Sequence, residues 1–258
     1  MPGSVFVPSG AADREAATGA RPSSPASAPP PWDGLFLSLL GPFRLEAGGR
    51  EIRLPIGAQR IMALLALQGR MSRSRLAGTL WPDSTEDRAR ACLRTSLWRA
   101  NQAVPGVVTV TATTAGLSDV LTADVQHLVR EARDAWHDGP TPAVQPCCMP
   151  GDVRELLPDW DDEWLNADRE RMRQLQIHLQ EELAEQLTCE GRYGLALEVA
   201  LATLRLDVTR ESAHRAVIRV HLAEGNISEA RRAYATCQRV LREELGVRPT
   251  PVTAQILA

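Results

Sequence analysis

The residues with the most chemistry in their spacing lie between Arg88 and Gln102. If Ala89, Leu93, Leu97, Ala100 and Val104, at steps of four, four, three and four, form the apolar stripe of one helix, then Arg88, Arg90, Arg94, Thr95, Trp98, Arg99, Asn101 and Gln102 fill the remaining arc. That arc carries four guanidinium groups, two amides, a hydroxyl and an indole. Arginine forks read the edge of guanine or clamp a phosphate, and Asn or Gln can read adenine. The face therefore has the chemistry of a recognition helix in a major groove. A merely solvated helix face is the plainer alternative. Against it, only Glu86 and Asp87 oppose the four arginines, and an indole has no reason to face water where solubility is all that is needed. Trp98 either belongs to the reading face or packs on a neighbouring domain.

Other chemistries find less support. There is no phosphate-binding loop, nucleophile elbow, zincin helix or dinucleotide fingerprint, so no catalytic role and no cofactor are expected. Asp159, Asp161, Asp162 and Glu163 lack the Gly-centred pattern of a calcium loop and are read as charges at the start of a long helix. Cys147 and Cys148, with His137 nearby, lack zinc spacing and are read as loop thiols; no metal is expected. Cys189, Cys237, His178 and His221 are read as core or half-buried, and His214 as a local partner of Glu211. The five cysteines are an odd number at no framework spacing, which suits a reducing compartment without disulfides.

The elements that must position the reading helix follow from periodicity. Leu35–Leu40, Phe43–Glu46 and Glu51–Leu54, turning at Ala47-Gly48-Gly49-Arg50, predict a hairpin platform. Short helices follow over Gln59–Gln68 and Ser72–Trp81, the second ended by Pro82-Asp83. Ser84-Thr85-Glu86-Asp87 predicts a capping box opening the third helix, which runs to about Val104. Beyond Pro105-Gly106, the runs Val107–Thr111, Ala112–Gly116 and Leu117–Leu121 predict a second hairpin, with Thr113 and Thr114 at its tip for hydroxyl or backbone contact to phosphate. Asp124–Trp136 predicts a connecting helix, and residues 137–158, with five prolines, a long loop. The remainder is helical, and a shift of 34 residues superposes Gly191-Arg192-Tyr193 on Gly225-Asn226-Ile227, the tetratricopeptide period. The expected fold is mainly α with small β-sheets: a disordered arm (1–34), a winged helix-turn-helix (35–121) and an all-α tetratricopeptide-like domain (122–258).

Charge divides along the same lines. Residues 35–121 hold eleven arginines against six acids, and residues 122–258 sixteen against twenty-three, within a net charge of −3. A basic half suits nucleic acid and an acidic half suits protein. All 29 basic residues are arginine, a choice that suits phosphate and guanine but that a GC-rich genome equally explains. No apolar run approaches the ~20 residues of a membrane span, and the first 34 residues lack the apolar stretch of a secretory signal, so a cytoplasmic, nucleoid-associated protein is expected. A receiver domain is not expected ahead of so short an arm.

Several motifs stand in the order found in one family. Leu40-Gly41-Pro42-Phe43, Ser74-Arg75-Leu76-Ala77-Gly78-Thr79-Leu80-Trp81-Pro82 and Ala89–Arg99 are followed by Leu156–Leu165, Gly191-Arg192-Tyr193, Arg210–Arg215 and Arg242–Pro251. With them the chain resembles the Streptomyces antibiotic regulatory protein (SARP) family, in which a winged helix of the response-regulator output type precedes a bacterial transcriptional activator domain. The resemblance implies an activator of secondary-metabolite genes that binds direct repeats in double-stranded DNA near a promoter, as tandem protomers or a homodimer, and contacts RNA polymerase holoenzyme, with no membrane role. Arg70, Arg73 and Arg75 are expected to reach phosphates. Many relatives end the recognition helix Arg-Leu-Arg-Arg, where this chain has Arg99-Ala100-Asn101-Gln102. A rival from another class is a helical-repeat scaffold whose basic winged module binds protein rather than DNA.

Overall fold

The computed structural model describes residues 34–138 and 153–257. The expected arm, apart from Gly34, and the middle of the Pro-rich loop with Cys147 and Cys148 lie outside the described residues. The chain opens with β1 (Leu35–Ser38), β2 (Arg44–Ala47) and β3 (Arg50–Glu51), an antiparallel meander turned by Gly48 and Gly49 at φ 55° and 76°. Three helices follow, α1 (Ile56–Gln68), α2 (Arg73–Leu80) and α3 (Glu86–Ala103). A second sheet is built from β4 (Met71–Ser72), β5 (Val108–Val110) and β6 (Thr114–Leu117) in the order β4-β6-β5, with β5 and β6 as the wing. The rest is helical: α4 (Asp124–Asp138), a 3₁₀ turn at Glu163–Leu165, α5 (Asn166–Cys189), α6 (Tyr193–Leu206), α7 (Glu211–Ala223), α8 (Ile227–Leu245) and the short α9 (Pro251–Ala254). This is the mainly α fold with small sheets that the sequence predicts, a winged helix-turn-helix followed by paired antiparallel helices. Gly191 and Gly225, 34 positions apart, open α6 and α8 alike at φ 75° and 85°, a conformation that side chains with a Cβ avoid.

Two expectations are corrected. The run Leu117–Leu121 does not finish the wing hairpin: Leu121–Ala123 forms β7, which pairs parallel with β1 in the register Leu35↔Leu121 and Leu37↔Ala123, giving the platform order β3-β2-β1-β7. A boundary at 121/122 therefore cuts through a strand. The capping box also fails to form. Thr85, not Ser84, is the N-cap of α3 and makes no side-chain cap bond, whereas Ser72 does cap α2 by accepting from the N–H of Arg75.

The core does not respect a two-domain division. One apolar cluster runs from Leu35, Leu37 and Leu39 through α1 and the stripe of α3, and on to Leu156, Leu157, Leu165 and Met172 of the helical half. The connection is also polar. The buried carboxylate of Asp124, at the start of α4, accepts the backbone N–H groups of Leu39 and Leu40 at 2.8–3.0 Å and of Val125 at 2.7 Å. Burial pushes this carboxyl above its ordinary value; the donated N–H groups and the nearby Arg154 pull it back only in part. Leu39 returns a carbonyl to the N–H of Leu157 at 3.0 Å, and Gly41 donates to Glu155 at 2.7 Å. Phe43 of the platform stacks on Trp160, centroids 6.0 Å apart. Arg169 of α5 locks the segment by donating to the carbonyls of Leu156, Leu157 and Trp160.

Candidate nucleic-acid interface

The stripe predicted on α3 is the buried one. Ala89, Leu93, Leu97 and Ala100 are each no more than 4% exposed, and Ser96 joins them. It lies close to α1: a Cβ on Gly57 would stand 2.5 Å from the Ser96 hydroxyl and 3.5 Å from the Ser96 Cβ, so a larger residue there would force the hydroxyl to another rotamer. Packing this face fixes the other. Arg88, Arg90, Arg94, Thr95, Trp98, Arg99 and Gln102 are all exposed, Trp98 at 60%. Trp98 is therefore left mostly to solvent rather than buried against a neighbouring element of the described residues. Arg90 is held by Glu86 one turn back, while Arg88, Arg94 and Arg99 have no carboxylate partner among the described residues. The Thr95 hydroxyl donates to the Ala91 carbonyl at 3.1 Å and keeps its lone pairs outward.

Asn101 departs from expectation. Its amide donates to the Val108 carbonyl at 2.9 Å, and its carbonyl accepts the Val108 N–H at 3.1 Å. Both ends are thus engaged in fastening α3 to the first wing strand. The other predicted residues gather at the wing. Arg70 donates to Thr109 at 3.0 Å and lies across Gly116, where a Cβ would stand 3.1 Å from its guanidinium carbon. The backbone of Arg73 donates to the Thr113 carbonyl at 2.8 Å, tying the start of α2 to the wing tip. Thr114 is turned inward onto Thr111, which leaves Thr113 as the outward hydroxyl of the tip. Arg75 is exposed and Arg73 half-buried.

Among the residues set aside, Cys237 is buried, and burial together with Glu211 pushes its thiol up to about 11. Cys189 is exposed, contrary to expectation, because it closes α5 on the solvent side. His214 is buried and shares a hydrogen with the Val208 carbonyl rather than pairing with Glu211, which accepts instead from Thr250. Asp162 stands at the N-cap of the 3₁₀ turn, but its side chain makes no cap bond. It forms an ion pair with Arg60 of α1, another tie between the halves and one that no residue spacing indicates. Gln68 and Asp168 make a further one at 3.2 Å. No helix among the described residues is long and apolar enough to cross a membrane.

A basic helix face presented by a winged helix-turn-helix, joined to paired antiparallel helices, defines a transcription regulator. Residues 109–257 match the family model of the bacterial transcriptional activator domain, more than half of the chain, and the chain belongs to that family as a regulator of the SARP kind. The match begins inside the wing, in keeping with a core that continues past it. Among solved structures the chain is similar to Mycobacterium tuberculosis EmbR in complex with a low-affinity phosphopeptide, at TM-score 0.66 and 19% identity, covering 86% of this chain and 64% of that one. That likeness establishes the fold. No curated protein matches the sequence.

Proposed function

We propose that this protein is a sequence-specific, DNA-binding transcriptional activator that reads the major groove through the exposed face of α3. One observation carries the proposal: Arg94, Thr95, Trp98 and Arg99 share that face, its two flanking arginines have no carboxylate partner among the described residues, and the opposite face is wholly consumed by the core. Arg88, Arg90 and Gln102 extend the face, and Arg70, Arg73, Arg75 and Thr113 at the wing and the start of α2 contact the backbone. The site consists of double-stranded direct repeats near promoters of secondary-metabolite genes, occupied by tandem protomers in the nucleoid, with the helical half engaging RNA polymerase holoenzyme. Functionally, residues 35–121 serve as the reading unit and 122–258 as the activating unit, although the two share a core.

The test uses a duplex selected by the full chain from a randomised library. Arg94→Ala and Arg99→Ala each weaken binding by ~1–3 kcal/mol where the fork reads a guanine, and discrimination relaxes at one base pair. An arginine that holds only phosphate instead lowers affinity for every sequence alike. Log affinity falls linearly with log salt, as counterion release requires. Unchanged affinity in both variants, with folding intact by circular dichroism, refutes the assignment of α3, and a flat salt series favours the protein-binding scaffold.

A further inference from the structure

The acidic half of the chain contains a basic cleft. A cleft of about 370 Å³ lies between the last turn of α1, the first half of α4 and the start of α5. Arg130 and Arg133 of α4 and Arg171 of α5 line it, with Ala66 and Leu67 of α1 as an apolar wall, and no carboxylate lines it among the described residues. Several other arginines of this half sit against acids, as Arg173 does on Glu170, Arg210 on Glu181 and Arg239 on Glu243. Arg130, Arg133 and Arg171 are exposed and have no such partner among the described residues. Of the acids beside them in sequence, Glu170 accepts from Arg173, Asp168 is buried and accepts from Gln68, and neither Glu131 nor Asp134 lines the cleft. Three permanent charges converging without a counter-charge repel one another, so such a cleft suits an anion supplied from outside.

Position indicates which anion. The α1 turn that walls the cleft leads through Gly69 directly to Arg70, whose guanidinium lies on the wing at Thr109. Leu67 and Arg70 are three residues apart, so their Cα atoms are within about 11 Å. A DNA strand carries one phosphate per about 3.4 Å of helix axis, so that reach is roughly three phosphates. We infer that Arg130, Arg133 and Arg171 form a backbone-phosphate site that continues the DNA track past the wing onto the helical half, holding the duplex outside the segment read by α3. The inference rests on the proposed DNA-binding function. It assigns to the helical half a grip on DNA that its net negative charge conceals.

The experiment compares two duplexes that contain the same library-selected site, one ending at the wing contact and one prolonged there by ten base pairs. The full chain is tested beside the triple variant Arg130→Gln/Arg133→Gln/Arg171→Gln, by fluorescence anisotropy over a range of salt. The wild type binds the longer duplex five- to tenfold more tightly. The triple variant loses that gain and matches the wild type on the short duplex, and its salt slope on the long duplex is shallower by about 0.9 for each phosphate contact removed. A triple variant that keeps the gain overturns the inference. So does one weakened equally on both duplexes, or one altered only in self-association by sedimentation, which would assign the cleft to an acidic surface of a second copy. The Arg94→Ala and Arg99→Ala results report on the α3 reading separately, since those residues act on both duplexes alike.

Discussion

Asp124 is one of the side chains that hold the reading half to the helical half, and the buried N–H groups it satisfies make Asp124→Ala severe. The carboxylate is 7% exposed and accepts the N–H groups of Leu39 and Leu40 at 2.8–3.0 Å, neither of which has another place to turn in the core. Leaving a buried donor unpaired costs about 1–3 kcal/mol each, and loss of the bond to Val125 at the start of α4 adds the ~1 kcal/mol of a helix cap. Relief from burying a charge offsets part of this, leaving a net loss of roughly 2–5 kcal/mol. Asp124→Asn keeps an acceptor and should lose less. The pH dependence supplies a second readout. Because burial raises the folded carboxyl above its ordinary value of 3.8, the folded state binds more protons, and this group's contribution declines as pH rises from there through the raised value. The Asn variant lacks that decline. Urea unfolding of the three proteins between pH 3.5 and 7 checks both points. An alanine variant as stable as wild type, or an asparagine variant as damaged as the alanine one, would refute an account based on orphaned donors.

Leu97→Asp places a charge on the buried stripe of α3, where Leu97 is 4% exposed, and should lower stability by several kcal/mol and abolish DNA binding through unfolding; a soluble variant with wild-type melting would mean that the helix faces are reversed. Glu181 is half-buried; burial raises its carboxyl, but hydrogen bonds from Arg210 at 2.7 and 3.0 Å and from Ser212 outweigh this and hold it below the ordinary range. Its contribution is present above the unfolded value and is lost as pH falls through the folded one, so Glu181→Gln should cost ~1–3 kcal/mol near neutrality and flatten the acid limb of the stability curve. An acid limb unchanged by the substitution would count against it.

What was legible in the sequence was local. The two faces of α3 follow from steps of four and three because a helix that buries Leu93 and Leu97 has no choice about where Arg94 and Trp98 go. The 34-residue repeat was visible through Gly191 and Gly225, since a positive φ leaves a residue-type signature. The failures are long-range. Leu121 carries no mark of pairing with Leu35 rather than with the wing, because an apolar run of that length serves either sheet. Asn101 falls on the exposed arc by periodicity, yet it lies at the end of α3, where the wing strand brings an unpaired peptide group within reach. Asp162 and Arg60 belong to distant segments, as do Arg130, Arg133 and Arg171, and no spacing rule brings such residues together.

These long-range ties decide how the protein can be divided. Leu35, Leu37, Leu39 and Leu40 are each at most 5% exposed, and beyond the pairing of β1 with β2 what covers them is β7, α4 and the segment around Leu156 and Leu157. A chain ending at residue 121 keeps the whole recognition helix and wing but removes nearly all of that cover. Burying a leucine contributes about 1.5–3 kcal/mol, so uncovering four forfeits up to roughly 6–12 kcal/mol, an upper bound because unfolded chains already hide part of that area. A domain's entire stability is about 5–15 kcal/mol. The fragment 1–121 is therefore expected to lack a cooperative unfolding transition and to bind DNA weakly for want of a folded reader. A chain cut after α5, which retains Leu156, Leu157, Leu165 and Met172, should unfold cooperatively. Urea titrations followed by tryptophan fluorescence separate the two, and a fragment 1–121 with a sharp transition would show that the reading unit stands alone. If the transition is absent, the activating half is part of the reader's scaffold, and its surfaces are held at a fixed angle to the DNA rather than swinging on a tether.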